Sequence, residues 1–378
     1  MFLLFRSLLI ATALGLAASP LRASDRFAAE KLAALDAAIM QSVARGECPG
    51  GVLWLEQRGA GHHLAFGNRA VEPEREAATE DTIFDAASLT KVVATTPAVM
   101  RLIEQEKIEL EAPACRYWPE FRGAGKEAIT IRQLLTHVSG LRADLSLREP
   151  WSGTARALEM ICAEPLPDAP GAKFRYSDIN FEVLGEIVHR VSGRTLDEYC
   201  AAEIFAPLAM RDTMFRPPEA LLPRIAPTER GVARGVVHDP TARRMDGVAG
   251  HAGLFTTAGD LARYARMLLR GGELDGVRLF KKGAVTLMTT VQSPPEIAAK
   301  RGLGWDIDSP FAGPRGDLFP IGSYGHTGWT GGSLWIDPQS ETFVIFLSNR
   351  NHPTEKGDVR ALRHTLGTLA AEAAGVGR

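Results

Sequence analysis

The spacing of apolar residues predicts where the first helix and the first strands of the chain lie. Leu32, Leu35 and Ile39 recur at intervals of three and four within residues 25–45, which places them on one face of an α-helix. Short apolar runs then flank a glycine-rich turn at residues 59–61, a pattern typical of two strands joined by a hairpin. The two predicted strands are residues 51–58 and 62–67.

The rest of the chain divides into a helical middle part and a C-terminal part with strand patterns. The predicted helices of the middle part are residues 92–105, 131–136, 181–191, 196–205 and 260–269. The predicted C-terminal strands are residues 303–307, 333–336 and 342–348, followed by a closing helix at residues 358–374. Because two N-terminal strands alone would make a marginal sheet, we expect one sheet assembled from both chain ends.

These patterns predict an α/β fold in which a mainly helical domain interrupts a sheet domain. Residues 24–87 and 286–378 are assigned to the sheet domain, and residues 88–285 to the inserted domain. Two sequential domains are the simpler alternative, but they would leave the N-terminal strands without partners.

The N-terminal 23 residues have the layout of a secretory signal peptide. Arg6 precedes the apolar run of residues 8–18, and Ala23 provides a small residue at a cleavage position. The run is too short to span a bilayer, which needs about 20 residues. We therefore expect a periplasmic or secreted protein without a membrane span after cleavage. An uncleaved anchor is the alternative.

Composition and charge exclude several classes of protein but indicate no chemistry. The chain has 378 residues, of which 45% are hydrophobic, so an intrinsically disordered protein is excluded. The 43 basic and 45 acidic residues nearly balance, and no basic block indicates a nucleic-acid partner. No Cys or His pair has metal-ligand spacing, so we expect neither metal nor cofactor. Export would allow disulfides among Cys48, Cys115, Cys162 and Cys200. Four cysteines can pair in three ways, and the sequence chooses neither among these pairings nor between them and four free thiols.

Ser88 and Lys91 form an S-x-x-K motif at the start of a mostly apolar helix. Residues three apart are neighbours on a helix face, so the amine of Lys91 can reach the hydroxyl of Ser88. A serine becomes a good nucleophile only when a base takes its proton, and a buried lysine with a lowered pKa could do so. Taken alone, the motif fits a solvated Ser and Lys on a helix surface better than a catalytic pair.

Two further motifs support a catalytic interpretation. Tyr176 lies on a turn before a predicted helix, where it can face a cleft between domains, and Asp178 follows two residues later. The sequence His-Thr-Gly-Trp at residues 326–329 lies on a glycine-rich strand, whose small residues would let a substrate backbone lie along the strand edge. A half-buried core tyrosine and a tight hairpin are the structural alternatives.

The three motifs together resemble the serine β-lactamase and penicillin-binding-protein superfamily, in its class C-like branch. Their order and spacing agree with that branch, and the resemblance extends over roughly residues 30–374. Flanking segments that match are residues 134–141, 207–210, 253–257 and 326–331. Residues 237–239, 250–253 and 346–353 resemble the D-alanyl-D-alanine carboxypeptidase-like subgroup.

The resemblance implies a fold and a set of site residues. The fold would be a five-stranded antiparallel sheet flanked by helices, with an all-helical domain inserted and the cleft between the two. Ser88 would be the acylated nucleophile, Lys91 its activating amine and Tyr176 the general base. The backbone N–H groups of Ser88 and Trp329 would form the oxyanion hole. The residues expected to bind the substrate are Asp178, His326, Thr327, Gly328 and Trp329.

This chain departs from the branch at two of these positions. Asp178 stands where the branch usually has Asn, and its carboxylate would raise the pKa of Lys91 against the effect of burial. That change favours Tyr176 as the base and disfavours β-lactam hydrolysis. His326 stands where β-lactamases have Lys, so we expect a charge that titrates near neutrality and carboxylate binding that weakens from about pH 6 to pH 8.

The leading functional prediction is an exported serine hydrolase that forms an acyl-enzyme through Ser88. Its expected substrate is a small molecule or peptide, with D-alanyl peptides of peptidoglycan as the first choice. A carboxylesterase of the same fold and a non-catalytic, penicillin-recognising scaffold are the alternatives. Asp239 and His251 are candidates for the cleft wall, although a structural hydrogen bond is the more common role of a lone histidine.

Overall fold

The computed structural model describes residues 26–377, so the predicted signal peptide falls outside the described residues. The strands are β1 Gly50–Gln57, β2 Ala60–Ala70, β3 Glu76–Ala77, β4 Phe84–Asp85, β5 Met214–Phe215, β6 Leu254–Thr256, β7 Glu273–Leu274, β8 Val277–Arg278, β9 Lys300–Arg301, β10 Asp306–Asp308, β11 Tyr324–Thr327, β12 Ser333–Asp337 and β13 Thr342–Ser348. The α-helices are α1 Ala29–Ala44, α2 Thr96–Glu104, α3 Ile131–Leu135, α4 Thr154–Ala163, α5 Asp178–Ser192, α6 Leu196–Cys200, α7 Pro240–Arg244, α8 Ala258–Leu269, α9 Lys282–Thr289 and α10 Arg360–Ala373. Within this part of the chain no helix is long and apolar enough to cross a membrane.

One antiparallel sheet is assembled from both ends of the chain, as predicted. Its strand order is β3-β2-β1-β13-β12-β11-β10-β9. Five strands of four to eleven residues form its centre, and the strands at its edges, β3, β10 and β9, have two or three residues each. The sheet therefore has eight strands where five were expected. The short strand β10 overlaps the strand predicted at residues 303–307, whereas β3 and β9, of two residues each, carry no periodic pattern.

The β1–β2 hairpin is tighter than the sequence indicated. Its turn consists of Arg58 and Gly59 alone, with φ of 50° and 84°. Two successive residues with positive φ are typical of a type I′ turn, whose twist matches that of the flanking strands. Ala60 and Gly61, predicted as turn residues, belong to β2.

The two faces of the sheet pack against different helices. In β1 the side chains alternate, so that Val52 joins the large core shared with the helical middle part, whereas Leu53 joins a second core under α1 and α10. The second core contains Leu35, on the predicted apolar face of α1, and Leu366 of α10. A fully buried leucine of this kind contributes about 1.5–3 kcal/mol.

The segment between the two parts of the sheet is mainly helical, and its predicted domain boundaries at residues 88 and 285 remain a prediction. It also contains a small sheet of the order β4-β6-β5, which the sequence patterns did not reveal. The predicted helix at residues 92–105 consists of a wide π-helical turn at Lys91–Thr95 followed by α2, with Pro97 in the first turn of α2. All four cysteines are free thiols.

Candidate active site

Ser88 lies on a constrained turn directly after β4. The residue before it, Ala87, has φ of 45°, in the left-handed region that non-glycine residues rarely adopt. The buried carboxylate of Asp85 accepts the backbone N–H of Ala87 at 2.8 Å and that of His238 at 2.7 Å. Asp85 therefore positions the serine, a role that the sequence analysis missed. An Asp two residues before a turn residue was the available signal.

Lys91 connects the serine to the start of α5. Its side chain is fully buried, and Nζ donates to Ser88 Oγ at 2.9 Å and to the backbone carbonyl of His251 at 3.1 Å. Asp178 Oδ1 lies 2.6 Å from the same nitrogen. The structure thus brings the S-x-x-K pair and Asp178 together at one point.

The charge state of Lys91 follows from two opposing effects. Burial lowers its pKa, but the Asp178 carboxylate and Tyr176 raise it by more, so that the pKa lies above its ordinary value. This direction agrees with the one expected from Asp178. Lys91 is therefore an ammonium at neutral pH, which stabilises negative charge on nearby oxygen atoms.

Tyr176 is held by aromatic neighbours at the mouth of the cleft. Its ring stacks on His137, with ring centroids 4.5 Å apart, and packs against Phe311 at 5.1 Å. The next residue, Ser177, donates its backbone N–H to His137 Nδ1 at 3.1 Å. Lys91 Nζ lies 5.0 Å from the centroid of the tyrosine ring. His137 thus positions Tyr176, although the sequence showed it only as part of a matching flanking segment.

The third motif lies at the end of β11, against the nucleophile turn. A Cβ atom on Gly328 would lie 2.6 Å from the carbonyl oxygen of Ala86, so only glycine fits there. Thr330 Oγ1 also donates to the carbonyl of Asp85 at 2.7 Å. The glycine at this position is therefore required mainly for packing against the nucleophile turn, rather than for a substrate backbone as expected.

His326 does not supply the titrating charge that the sequence suggested. The ring is buried, and burial together with the positive charges of Arg301 and Lys91 lowers its pKa well below the ordinary value. The prediction that titration of His326 weakens carboxylate binding between pH 6 and pH 8 is therefore wrong. His326 is neutral across that range.

The cleft consists of two compartments that share Ser88, Tyr176, Trp329 and Glu355. The first, of about 660 Å³, lies beside β11 and α10 and contains three acidic side chains, Asp306, Glu355 and Asp358, and four basic ones. The basic residues are Arg350, Lys356, Arg360 and Arg363. The second, of about 420 Å³, contains four acidic side chains and one arginine. Its acidic residues are Asp178, Glu229, Asp239 and Glu355.

Most of the predicted site residues line this cleft. His326, Thr327 and Gly328 face the first compartment, and Asp178 and Asp239 face the second. The prediction that His251 lines the cleft is wrong, since its side chain is only 1% exposed and lies behind the cleft wall.

His251 belongs to a buried network behind Lys91. Its Nε2 lies 3.0 Å from Asp239 Oδ1, and its Nδ1 lies 3.4 Å from Glu182 Oε1. Burial raises the pKa of Glu182 to about 8. Burial lowers the pKa of His251, but Asp239 raises it by more, to about 9. At neutral pH the network therefore holds a neutral Glu182 and a charged His251.

This network predicts that the folded state loses stability as the pH rises. Glu182 and His251 both bind protons more tightly in the folded than in the unfolded chain, over pH windows of 4.5 to about 8 and 6.5 to about 9. Since one pKa unit corresponds to 1.36 kcal/mol, these two windows lead us to expect the free energy of unfolding to fall by about 6 kcal/mol between pH 6 and pH 9. Urea denaturation at several pH values measures this change in the free energy of unfolding.

The variant Glu182→Gln should make that pH dependence shallower, because it removes one of the two protons. Glu186→Gln is the matched control, since Glu186 lies on the same helix, is 8% exposed and pairs with Arg190. Equal slopes for wild type and Glu182→Gln would contradict the assignment.

Two groups of His and carboxylate residues within residues 26–377 are close enough to share a metal ion. The first, Asp178, Asp239 and His251, is engaged by Lys91 and by its own hydrogen bonds. The second, Glu229, His238 and Glu355, lies in the acidic compartment.

Comparison with known proteins identifies relatives of this arrangement. The family model described as Beta-lactamase matches residues 35–368. A protein of Escherichia coli (strain K12) described as "Putative D-alanyl-D-alanine carboxypeptidase" is 35% identical over 309 residues, which are 73% of this chain and 70% of that protein.

Two solved structures have the same fold at lower sequence identity. A penicillin-binding protein homolog from Caulobacter crescentus superposes with a TM-score of 0.73 at 23% identity, covering 92% of this chain and 98% of the other. A family VIII carboxylesterase superposes with a TM-score of 0.72 at 20% identity, covering 92% and 98%. Because the family model spans most of the sequence, the chain belongs to the β-lactamase family of hydrolases.

Proposed function

We propose that this protein is an exported serine hydrolase that forms an acyl-enzyme through Ser88 and acts on peptides ending in D-alanine. The observation that carries the proposal is the 2.9 Å contact between Ser88 Oγ and the buried Lys91 ammonium, at the mouth of the cleft. The D-alanyl substrate is supported by the description of the Escherichia coli relative. Export rests on the N-terminal sequence pattern alone.

The proposed chemistry uses Tyr176 rather than Lys91 as the base. Since Lys91 is an ammonium, it favours negative charge that develops beside it and orients the Ser88 hydroxyl. The proton of Ser88 passes to the Tyr176 oxygen while Oγ bonds to the substrate carbonyl carbon. The same proton then goes to the leaving amine as the C–N bond breaks. Water deprotonated by Tyr176 finally cleaves the ester and releases Ser88.

The substrate carboxylate is assigned to the first compartment. His326 is neutral, so the positive charge there comes from the four basic side chains, of which Arg363 is buried under the floor of the compartment. Thr327 lies at the end of β11 and offers a hydroxyl donor at this wall. A C-terminal D-alanine carries such a carboxylate, whereas a simple ester does not.

A carboxylesterase activity is the second candidate. The carboxylate of Asp178 contacts Lys91 at the position where class C-like enzymes usually have Asn, so the chain lacks an amide donor there. Esters need less help from such donors than amides because an alkoxide is a better leaving group than the amide anion, so that the nitrogen of an amide must be protonated before it leaves. The similarity in fold to a carboxylesterase is compatible with this activity.

Covalent labelling separates these candidates. A fluorescent penicillin should form a stable adduct with the wild-type protein and none with Ser88→Ala, and the wild type should release D-alanine from a D-alanyl-D-alanine peptide. Ser152→Ala, which changes an exposed serine outside the cleft, is the matched control and should label normally. Labelling by a fluorophosphonate alone would favour the esterase. No Ser88-dependent adduct with either probe would overturn the proposal and leave the non-catalytic scaffold.

A further inference from the structure

Three side chains from two distant segments converge in the acidic compartment. Glu229 and His238 come from the segment before α7, and Glu355 comes from the loop after β13. His238 Nε2 lies 3.1 Å from Glu355 Oε1 and 3.5 Å from Glu229 Oε1. The histidine is 7% exposed, whereas the two carboxylates reach the cleft.

A fourth polar group, the amide of Asn351, completes the cluster. The residue is fully buried, and Nδ2 lies 3.0 Å from His238 Nε2 and 3.3 Å from Glu355 Oε1. Its Oδ1 has no hydrogen-bond partner among the described residues. An unpaired buried oxygen costs about 1–3 kcal/mol. Rotating the amide by half a turn exchanges the two atoms and directs the oxygen at the cluster.

The hydrogen-bond donors and acceptors of the cluster cannot all be matched with one another. An N–H at His238 Nε2 suits Glu355 but opposes the amide N–H of Asn351. A lone pair at Nε2 suits Asn351 but faces the negative charges of Glu229 and Glu355. With the amide nitrogen facing the cluster, one contact is therefore repulsive in either tautomer. With the amide rotated, its oxygen takes the position 3.3 Å from Glu355 Oε1, and two acceptors face each other. A cation removes the conflict, because an imidazole lone pair, two carboxylate oxygens and an amide oxygen are all metal ligands.

The distances indicate which ions fit. Bonds of about 2.0–2.2 Å separate adjacent ligands by roughly 3.3 Å in a tetrahedron and about 3.0 Å in an octahedron. The measured separations of 3.0, 3.1 and 3.5 Å around His238 Nε2 lie in that range. Magnesium and calcium prefer all-oxygen ligand sets, whereas zinc accepts an imidazole nitrogen together with oxygen ligands.

We propose that Glu229, His238, Asn351 and Glu355 form a divalent-metal site, with zinc as the preferred ion, beside the serine in the acidic compartment. The indole Nε1 of Trp329 donates to Glu355 Oε1 at 2.8 Å, so the ion is linked to the loop that follows β11. It neutralises two carboxylates that face the substrate cleft. The sequence analysis predicted no metal, because the ligands include a single histidine and have no recognisable spacing. The proposal does not depend on the proposed activity.

Zinc titration of the untagged, chelator-treated full chain tests the site. Competition with a chromophoric chelator should give one Zn²⁺ per chain at micromolar concentration, and Co²⁺ should give visible absorption bands of a nitrogen-containing site. Glu229→Gln and Glu355→Gln should each weaken zinc binding at least tenfold. Glu273→Gln is the matched control, since Glu273 has a 40% exposed side chain against 42% for Glu355 and lies outside the cleft. It should bind zinc as the wild type does.

Both glutamate variants keep the shape of the side chain and replace a partly exposed carboxylate with an amide. Melting curves of both variants without zinc should therefore match that of the wild type. Absence of zinc binding by the folded wild-type protein overturns the proposal. So does equal zinc affinity in the Glu229→Gln/Glu355→Gln double variant, because the ion would then bind elsewhere. Neither result bears on Ser88 labelling, which tests the proposed activity separately.

Discussion

Replacing Lys91 with methionine is expected to slow acylation of Ser88 by about two to three orders of magnitude, the effect of removing one preorganised electrostatic donor from an active site. The ammonium is the direct partner of Ser88 Oγ at 2.9 Å and of Asp178 at 2.6 Å. Without it the hydroxyl is not oriented, and negative charge that develops at this point is no longer stabilised. Stopped-flow measurement of the burst with a chromogenic ester or penicillin gives the acylation rate.

The fold should tolerate this change. Methionine has nearly the length of lysine, and Asp178, which is 21% exposed, can be solvated when its partner is removed. The matched control is Lys126→Met, because Lys126 is also buried, at 2% exposure, and donates to the carbonyls of Cys162 and Glu164. Lys126→Met should cost stability but leave the acylation rate unchanged. An acylation rate for Lys91→Met within threefold of wild type would refute the role assigned to Lys91.

Replacing Arg363 with lysine is expected to destabilise the protein by about 3 kcal/mol and to impair the site. The buried guanidinium donates to the carbonyls of Gly328, Gly331 and Gly332 at 2.7–3.2 Å. It therefore holds the loop after β11, which carries Trp329. Burial lowers its pKa to about 9, so it remains charged at neutral pH. A lysine keeps the charge but lacks the planar set of donors. The carbonyls of Gly328 and Gly332 also accept a backbone N–H, whereas the Gly331 carbonyl is left unpaired, at a cost of about 1–3 kcal/mol.

Denaturant unfolding and Ser88 labelling measure the two effects of Arg363→Lys. Arg360→Lys is the control on the same helix, since Arg360 has an 85% exposed side chain and pairs only with Asp358 among the described residues. It should change the unfolding free energy by less than about 0.5 kcal/mol. Unchanged stability in Arg363→Lys would show that the three carbonyls find other partners.

The longer elements were predictable because their patterns are local. Apolar residues spaced three and four apart predict α1 at Ala29–Ala44. Two apolar runs on either side of Pro338 predict β12, β13 and the turn between them. Both the assembly of one sheet from two chain ends and the helical insertion also followed from the order of these patterns. The two-residue edge strands β3 and β9 and the small sheet formed by β4, β5 and β6 have no pattern long enough to detect.

The candidate site was predictable only in part. Ser88, Lys91, Tyr176 and the His-Thr-Gly segment were identified because short motifs with a fixed order carry them. Asp85 and His137 were missed, since each acts through contacts with backbone N–H groups that a linear motif does not display. The chemical roles of the site residues remain a proposal for the experiments above.

By itself the sequence determined the types of residue at the centre of the site and the order in which the fold presents them. It also predicted that Asp178 would oppose the effect of burial on the pKa of Lys91, because the two residues belong to motifs that are expected to lie together in the active site. Only the tertiary structure decided that His326 is neutral and that Glu229, His238, Asn351 and Glu355 share one point. The physical reason is that burial and Coulomb interactions depend on which distant residues pack together, and neighbours along the chain do not reveal them.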